Sequence, residues 1–380
     1  MKAFLHDDFL LQSPAAVRLY HEYAAPMPII DYHNHLPPQQ IAGDICFENL
    51  TQAWLQGDHY KWRAMRTHGI AEAFVTGNAS DRDKFMQWAA TVPYTVRNPL
   101  FHWTHLELKR YFGIDELLTP ETAGSIYDRC SEMLRSSSCS VRNLLATMKV
   151  KLVCTTDDPA DTLDHHLAMR REHTGLKMLP AFRPDAAMKV EDANAFSAYV
   201  QKIALVSGTT ISNLGDYTRA LKSRHDFFAS AGCSVSDHGL EELYAETTSD
   251  ATAAALFDKL ISGENITGRE VGQLKSWFLF AFAQWDHAAG WVQQYHLGAL
   301  RNNNRRKMQQ LGPDTGWDSI GDWAQASSLS RFLSRLDESN TLAKTILYNL
   351  NPADNAMMAT MIGNFNDGSV PGKIQWGSAW

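Results

Sequence analysis

Met27-Pro28-Ile29-Ile30-Asp31-Tyr32-His33-Asn34-His35 is a short apolar run that turns at once into a polar, imidazole-bearing end. A buried parallel strand reads as a continuous apolar stretch, so this segment is taken as the first strand, with its chemistry at the C-terminal tip. The same pattern returns along the chain. Strands are expected at Val150–Thr155, Lys177–Phe182, Cys233–Ser236, Trp291–His296, Thr345–Leu350 and Lys373–Trp380. Most are separated by amphipathic segments, among them Phe196–Val206 and Leu256–Ile261, with apolar residues at three- and four-residue steps. Alternating strands and helices of this kind make a parallel α/β sheet.

The organisation is that of one long barrel domain. The 380 residues could hold two or three average domains, but α/β barrels run long as single domains. A Trp-rich, mainly helical stretch, residues 47–148, is too long for one crossover and reads as an insertion over the barrel mouth. Seven strands are recovered where a closed (β/α)8 barrel needs eight. The expectation is therefore a TIM-like barrel that is C-terminally incomplete over residues 1–380, with an unpaired strand edge.

Composition narrows the function classes. The net charge is −7, and the longest basic run is Arg305-Arg306-Lys307, which argues against nucleic acid as a partner. The longest strongly apolar run, Trp277–Ala283, is too short to span a bilayer, so no membrane partner is expected. The N-terminus carries acids where a signal peptide would be apolar. Five scattered cysteines with no CxxC pair read as reduced thiols in a cytoplasmic protein.

The candidate chemistry collects at the strand ends. Side chains two apart on a strand share a side, so His33 and His35 can aim two imidazoles at one point, as ligands for zinc or a similar divalent metal. HxH also occurs in surface loops, but its place after a buried strand favours the site reading. Asp58-His59-Tyr60-Lys61-Trp62-Arg63 offers proton donors, although on the residues alone an amphipathic helix start is the better reading. Thr155-Thr156-Asp157-Asp158-Pro159 places one Asp as a helix cap. Arg183, at the end of the third strand, suits a carboxylate bidentately, and an ion pair with Asp185 explains it equally well. Asp237 and His238 could serve as ligand, base or orienting pair. His296, Arg301 and Asn302-Asn303-Asn304 form a hydrogen-bonding segment suited to a polyhydroxylated anion.

Taken in order, these motifs resemble those of the uronate isomerases, also called glucuronate isomerases, of the amidohydrolase superfamily. The resemblance runs over essentially the whole chain. It implies interconversion of D-glucuronate with D-fructuronate and of D-galacturonate with D-tagaturonate. It implies His33 and His35 as metal ligands, and His59 and Tyr60 at the reacting end of the substrate. Arg183 would face the substrate carboxylate, with His296 and Arg301 as further pocket residues. Asp237 and His238 have an auxiliary part, a divalent metal such as zinc is the expected cofactor, and a homo-oligomer the expected assembly. The family pattern continues into an eighth strand bearing an Asp and an Arg, which this sequence does not contain; weak or absent activity is the corresponding expectation. A metal-dependent hydrolase or deaminase on the same barrel, and a noncatalytic uronate-binding barrel, are the alternatives.

Overall fold

A computed structural model describes residues 4–172 and 174–377. Its main sheet has seven strands in the order β1-β2-β3-β4-β5-β8-β9. These are β1 Ile29–Asp31, β2 Val150–Asp157, β3 Lys177–Phe182, β4 Val235–Leu240, β5 Val292–Leu297, β8 Lys344–Asn349 and β9 Ile374–Trp376. β6 Ala299–Leu300 and β7 Ser319–Ile320 form a separate two-residue antiparallel ladder. Pairing is parallel from β2 through to β9. Strand neighbours in space are neighbours in sequence, apart from the small ladder. That is the wall of a barrel-type α/β fold.

The boundaries differ from the sequence reading in instructive ways. β1 ends at Asp31, so His33 and His35 stand in irregular chain beyond it. β4 runs on to Leu240, so Asp237 and His238 lie within the strand rather than after it. Asp158 caps no helix: it accepts the Ala160 N–H at 2.9 Å in a tight turn, and the next helix begins at Asp164. Pro159 sits inside that turn, which is why the expected cap is displaced. Ser378–Trp380, the end of the expected seventh strand, lie outside the described residues.

The chain forms two compact units. One contains the segment ending at Ile30, Gln39–Lys151 and Arg301–Asp318. It is helical, including Leu50–Trp54, His59–Thr67, Asp81–Thr91, Pro99–Phe112 and Ala123–Leu134. Its core gathers Leu50, Met65, Phe85, Trp88, Leu108, Ile126 and Cys130, all buried. Asp58 starts the His59–Thr67 helix by accepting the Lys61 N–H at 2.8 Å, an N-cap that satisfies one of the free amides of the first turn. Within this unit Arg66 grips Glu72 with Nε at 2.9 Å and Nη2 at 2.7 Å, and donates Nη1 to the Thr315 carbonyl at 2.7 Å. Its guanidinium also lies 4.4 Å from the Trp317 ring.

The other unit holds Asp31–Pro38, Leu152–Leu300 and the segment beginning at Ser319. Its core packs helices Ala193–Ser207, Leu214–Ser230, Asp250–Ile261, Gly268–Ala289 and Gln325–Glu338 around Phe196, Tyr217, Phe257, Phe278, Phe282 and Phe332. Each such ring contributes on the order of 1.5–3 kcal/mol by leaving water. A capping box of Thr267 and Glu270 starts the Gly268–Ala289 helix, and Gly290 in the left-handed region ends it. The turn after Gly290 feeds Trp291 directly into β5. Behind the sheet, Asp286 of this helix accepts from Ser236 of β4 at 2.7 Å and Gln293 of β5 at 3.1 Å, and lies 3.1 Å from His225 Nε2.

Candidate metal and substrate site

β4, β5 and β8 present their C-terminal ends side by side. Their register pairs Gly239 with His296 and His296 with Tyr348, while Asp237 pairs with Gln294 one pleat earlier. Alternation along each strand then sorts the side chains. Asp237, Gln294, His296 and Tyr348 share one face. Ser236, His238, Gln293 and Tyr295 share the other, where Tyr295 packs on the helix residue Phe332 with ring centroids 5.6 Å apart.

On the first face, His296 Nδ1 is 2.8 Å from Asp237 Oδ1, and His33 Nδ1 is 3.8 Å from the same oxygen. The His33 and His296 rings tilt together with centroids 4.3 Å apart. His296 stacks on Tyr348 at 4.3 Å with planes 6° apart, and Tyr348 donates its hydroxyl to Gln294 Oε1 at 3.0 Å. Gln294 in turn donates to the Tyr32 carbonyl at 3.3 Å, tying the chain after β1 to β5. Arg183 Nη1 lies 3.3 Å from Asp237 Oδ2. Its Nε donates to Asp185 Oδ2 at 2.9 Å, so the ion pair that the sequence allows is formed.

Burial and charge set the protonation states. Asp237 is fully buried, which alone would raise its pKa. The close approach of the His296 ring and the charge of Arg183 outweigh burial and hold the carboxyl well below the usual range. Burial pushes His33 down to about 4, against the pull of Asp237, so its imidazole is neutral near pH 7. Asp185 would also be raised by burial, but contacts with His238 and Arg183 lower it. Burial raises the Tyr348 phenol.

A neutral imidazole and an ionised carboxylate are what a divalent cation needs as ligands. His33, Asp237 and His296 each offer one ligand atom, and the three atoms lie within 4.8 Å of one another. His33 Nδ1 and both Asp237 oxygens are buried without a well-formed hydrogen bond, an arrangement a bound ion relieves. The donor set therefore fits a divalent metal.

His35 is not in this trio. Its ring stands nearly perpendicular to that of His33, with centroids 5.1 Å apart. Both histidines lie beyond Asp31, where β1 ends, in irregular chain. His238 points away from the trio, stacked on Tyr295 at 4.8 Å, with Nδ1 3.6 Å from Asp185 Oδ1. His59, Tyr60 and Arg301 belong to the helical unit. His59 stacks on Trp62 at 5.3 Å, Tyr60 is largely exposed, and Arg301 pairs with Asp318 at 3.1 Å. Among the described residues, sequence reasoning passed over Tyr348 and Gln294. Tyr348 sits in an apolar strand and reads as core; only its register beside His296 gives it away.

Comparison with known proteins identifies the family. The family model described as glucuronate isomerase matches residues 1–380. The uronate isomerase of Bacteroides thetaiotaomicron is 54% identical over 381 residues, covering 100% of this chain and 81% of that protein. That of Cellvibrio japonicus is 53% identical with the same coverage. The crystal structure of a uronate isomerase from Thermotoga maritima superposes with a TM-score of 0.93 at 33% identity, covering 100% of this chain and 81% of that one. The glucuronate isomerase of Caulobacter crescentus gives 0.90 at 26% identity, covering 99% and 79%. A match along the whole sequence, carried on a sheet that superposes with solved uronate isomerases, establishes that this chain belongs to the glucuronate isomerase family.

Proposed function

We propose that this protein is an aldose–ketose isomerase of open-chain hexuronates, converting D-glucuronate to D-fructuronate and D-galacturonate to D-tagaturonate. The observation that carries the reading is the buried trio His33, Asp237 and His296 with Arg183 beside Asp237. It joins metal-ligand chemistry to a cation able to hold a carboxylate.

The reaction moves a proton from C2 to C1 through a cis-enediolate. It needs a positioned base, and donors to the C1 and C2 oxygens where charge develops. Arg183 takes the substrate carboxylate, fixing a flexible sugar acid at one end. His33, Asp237 and His296 hold a divalent ion, zinc in this reading. When bound, that ion polarises the sugar oxygens and stabilises negative charge on them. His35 lies beside this set. His59 and Tyr60 are assigned as proton donors, and Arg301 as a further substrate contact. Asp237 also orients His296, and His238 supports Asp185. We further infer an amidohydrolase-type (β/α) barrel architecture for the sheet, with the helical residues 47–148 as an insertion in it. A cytoplasmic location, in keeping with five free cysteines, and assembly as a homo-oligomer complete the reading. No helix among the described residues is long and apolar enough to cross a membrane.

The test is direct. The purified chain is incubated with D-glucuronate and D-galacturonate, and ketose formation is followed by NMR. Conversion of either acid with no turnover of D-glucose is expected. Equal turnover of the neutral hexose would remove the carboxylate-holding role of Arg183.

A further inference from the structure

Arg183 leaves the sheet one residue beyond the end of β3, and its guanidinium lies between two carboxylates, Asp185 and Asp237, with its Nη2 against the backbone of Gly239. Asp185 Oδ2 accepts its Nε at 2.9 Å. The same oxygen accepts the Gly239 N–H of β4 at 2.9 Å, so one carboxylate ties the loop after β3 to the neighbouring strand. On the β4 side the guanidinium occupies the space a side chain at 239 would need. A Cβ at Gly239 would stand 2.1 Å from Arg183 Nη2 and 3.3 Å from Cζ. Gly239 does not have a positive φ, so its backbone accepts any L-residue. What excludes a side chain there is the guanidinium alone.

We propose that Gly239 and Asp185 are positioning residues for Arg183. The missing side chain at 239 sets how deeply the guanidinium sits against β4. Asp185 sets its direction. Together they fix where the guanidinium stands beside Asp237, 3.3 Å away, and with it where the substrate carboxylate is held relative to the trio. The inference rests on the assignment of Arg183 to the substrate carboxylate. Placement matters at this scale: a misplacement of about 1 Å in a bound substrate can cost roughly 10²-fold in rate. A methyl group at 239 forces the guanidinium to move by at least that much.

The experiment is a double-mutant cycle on the full chain, with wild type, Gly239→Ala, Arg183→Lys and the double variant assayed on D-glucuronate. Arg183→Lys is expected to lower kcat/KM by at least about tenfold, mainly through KM, because a point charge does not replace a fork. Gly239→Ala in the Arg183 background is expected to lower kcat/KM by at least about tenfold, again mainly through KM, with Tm close to wild type. In the Lys background the same substitution should change kcat/KM by less than about twofold, because lysine has no atom at the Nη2 position. An equal effect in both backgrounds overturns the positioning role while leaving the carboxylate assignment intact. An Arg183→Lys enzyme with unchanged kcat/KM overturns the carboxylate assignment, and the positioning role with it. Should Gly239→Ala fold poorly, Asp185→Asn carries the test. Its amide oxygen still accepts the Gly239 N–H but loses the ion pair. A raised KM with little change in kcat or Tm supports the role, and an unchanged KM overturns it.

Discussion

His296 and Tyr348 stand directly opposite each other on β5 and β8, and their rings lie almost parallel, 4.3 Å apart. The stack fixes the plane of an imidazole whose Nδ1 is aimed at Asp237. Removing the tyrosine ring frees the imidazole to rotate; removing only its hydroxyl does not. Tyr348→Phe should therefore retain most activity, losing one hydrogen bond to Gln294 worth about 1 kcal/mol. Tyr348→Ala should lower turnover by roughly tenfold or more and cost about 3–5 kcal/mol of stability as a large-to-small change in a packed site. Steady-state kinetics and denaturant melts on the two variants separate these effects.

Metal content should track the trio. His33→Ala and Asp237→Ala each remove one protein ligand where catalytic zinc sites commonly have about three. Both should bind substantially less divalent metal, measured by elemental analysis after dialysis. His35→Ala, outside the trio, should retain more metal than either. Equal loss from all three variants would show that His35 ligates as well.

The cluster behind β2 gives a pH dependence with two opposed parts. Burial pushes Asp157 up to about 7 and His166 down to about 4, and Thr155 Oγ1 lies 2.7 Å from both. The folded state holds the Asp157 proton more tightly than the unfolded chain, so this contribution is lost as pH rises from about 4 to about 7. For His166 the unfolded chain binds the proton better, and stability is lost as pH falls from about 6.5 to about 4. The two slopes oppose each other in the native protein. Stability of His166→Gln should fall with pH across that window relative to wild type, and that of Asp157→Asn should rise. Urea unfolding between pH 4 and pH 8 reads both signs.

Asp286 ties β4, β5 and the Leu214–Ser230 helix through Ser236, Gln293 and His225. Asp286→Ala leaves three buried polar groups without their acceptor, and each costs about 1–3 kcal/mol when unsatisfied. We expect a loss of at least about 3 kcal/mol, seen as a lowered midpoint in guanidinium. Asp286→Asn should cost less, since its amide oxygen can still accept two of the bonds.

Strands such as Val150–Asp157 and Lys344–Asn349 were legible as short runs rich in apolar residues, whereas β4, Val235-Ser236-Asp237-His238-Gly239-Leu240, was caught only at its first two residues. Expected and observed segments overlap for all seven. The ladder of β6 and β7 was not legible, since two residues such as Ser319-Ile320 carry no period. Candidate residues could be picked out where a polar group ends an apolar run, as at His33, Arg183 and His296. Their grouping could not. Asp237 and His296 meet through a register that no local pattern states, and whether His35 follows His33 depends on where the strand stops. Gly239 is the extreme case: its contribution is the absence of atoms, visible only once Arg183 occupies the space.

Arg66 waits a long time for part of its environment. Thr315 lies 249 positions downstream, and at a synthesis rate of about 5–20 residues per second that gap takes roughly 12 to 50 s. Helices from Leu50 to Leu134 emerge and gather their core long before the Thr315 carbonyl and the Trp317 indole have been translated. During that interval the guanidinium has Glu72 alone, and the surface the later segment will cover stays wet. The unit is thus completed by a late-arriving clasp rather than by its own continuous stretch of chain. A stalled nascent chain released before residue 315 should carry the helical core with that face still open to protease.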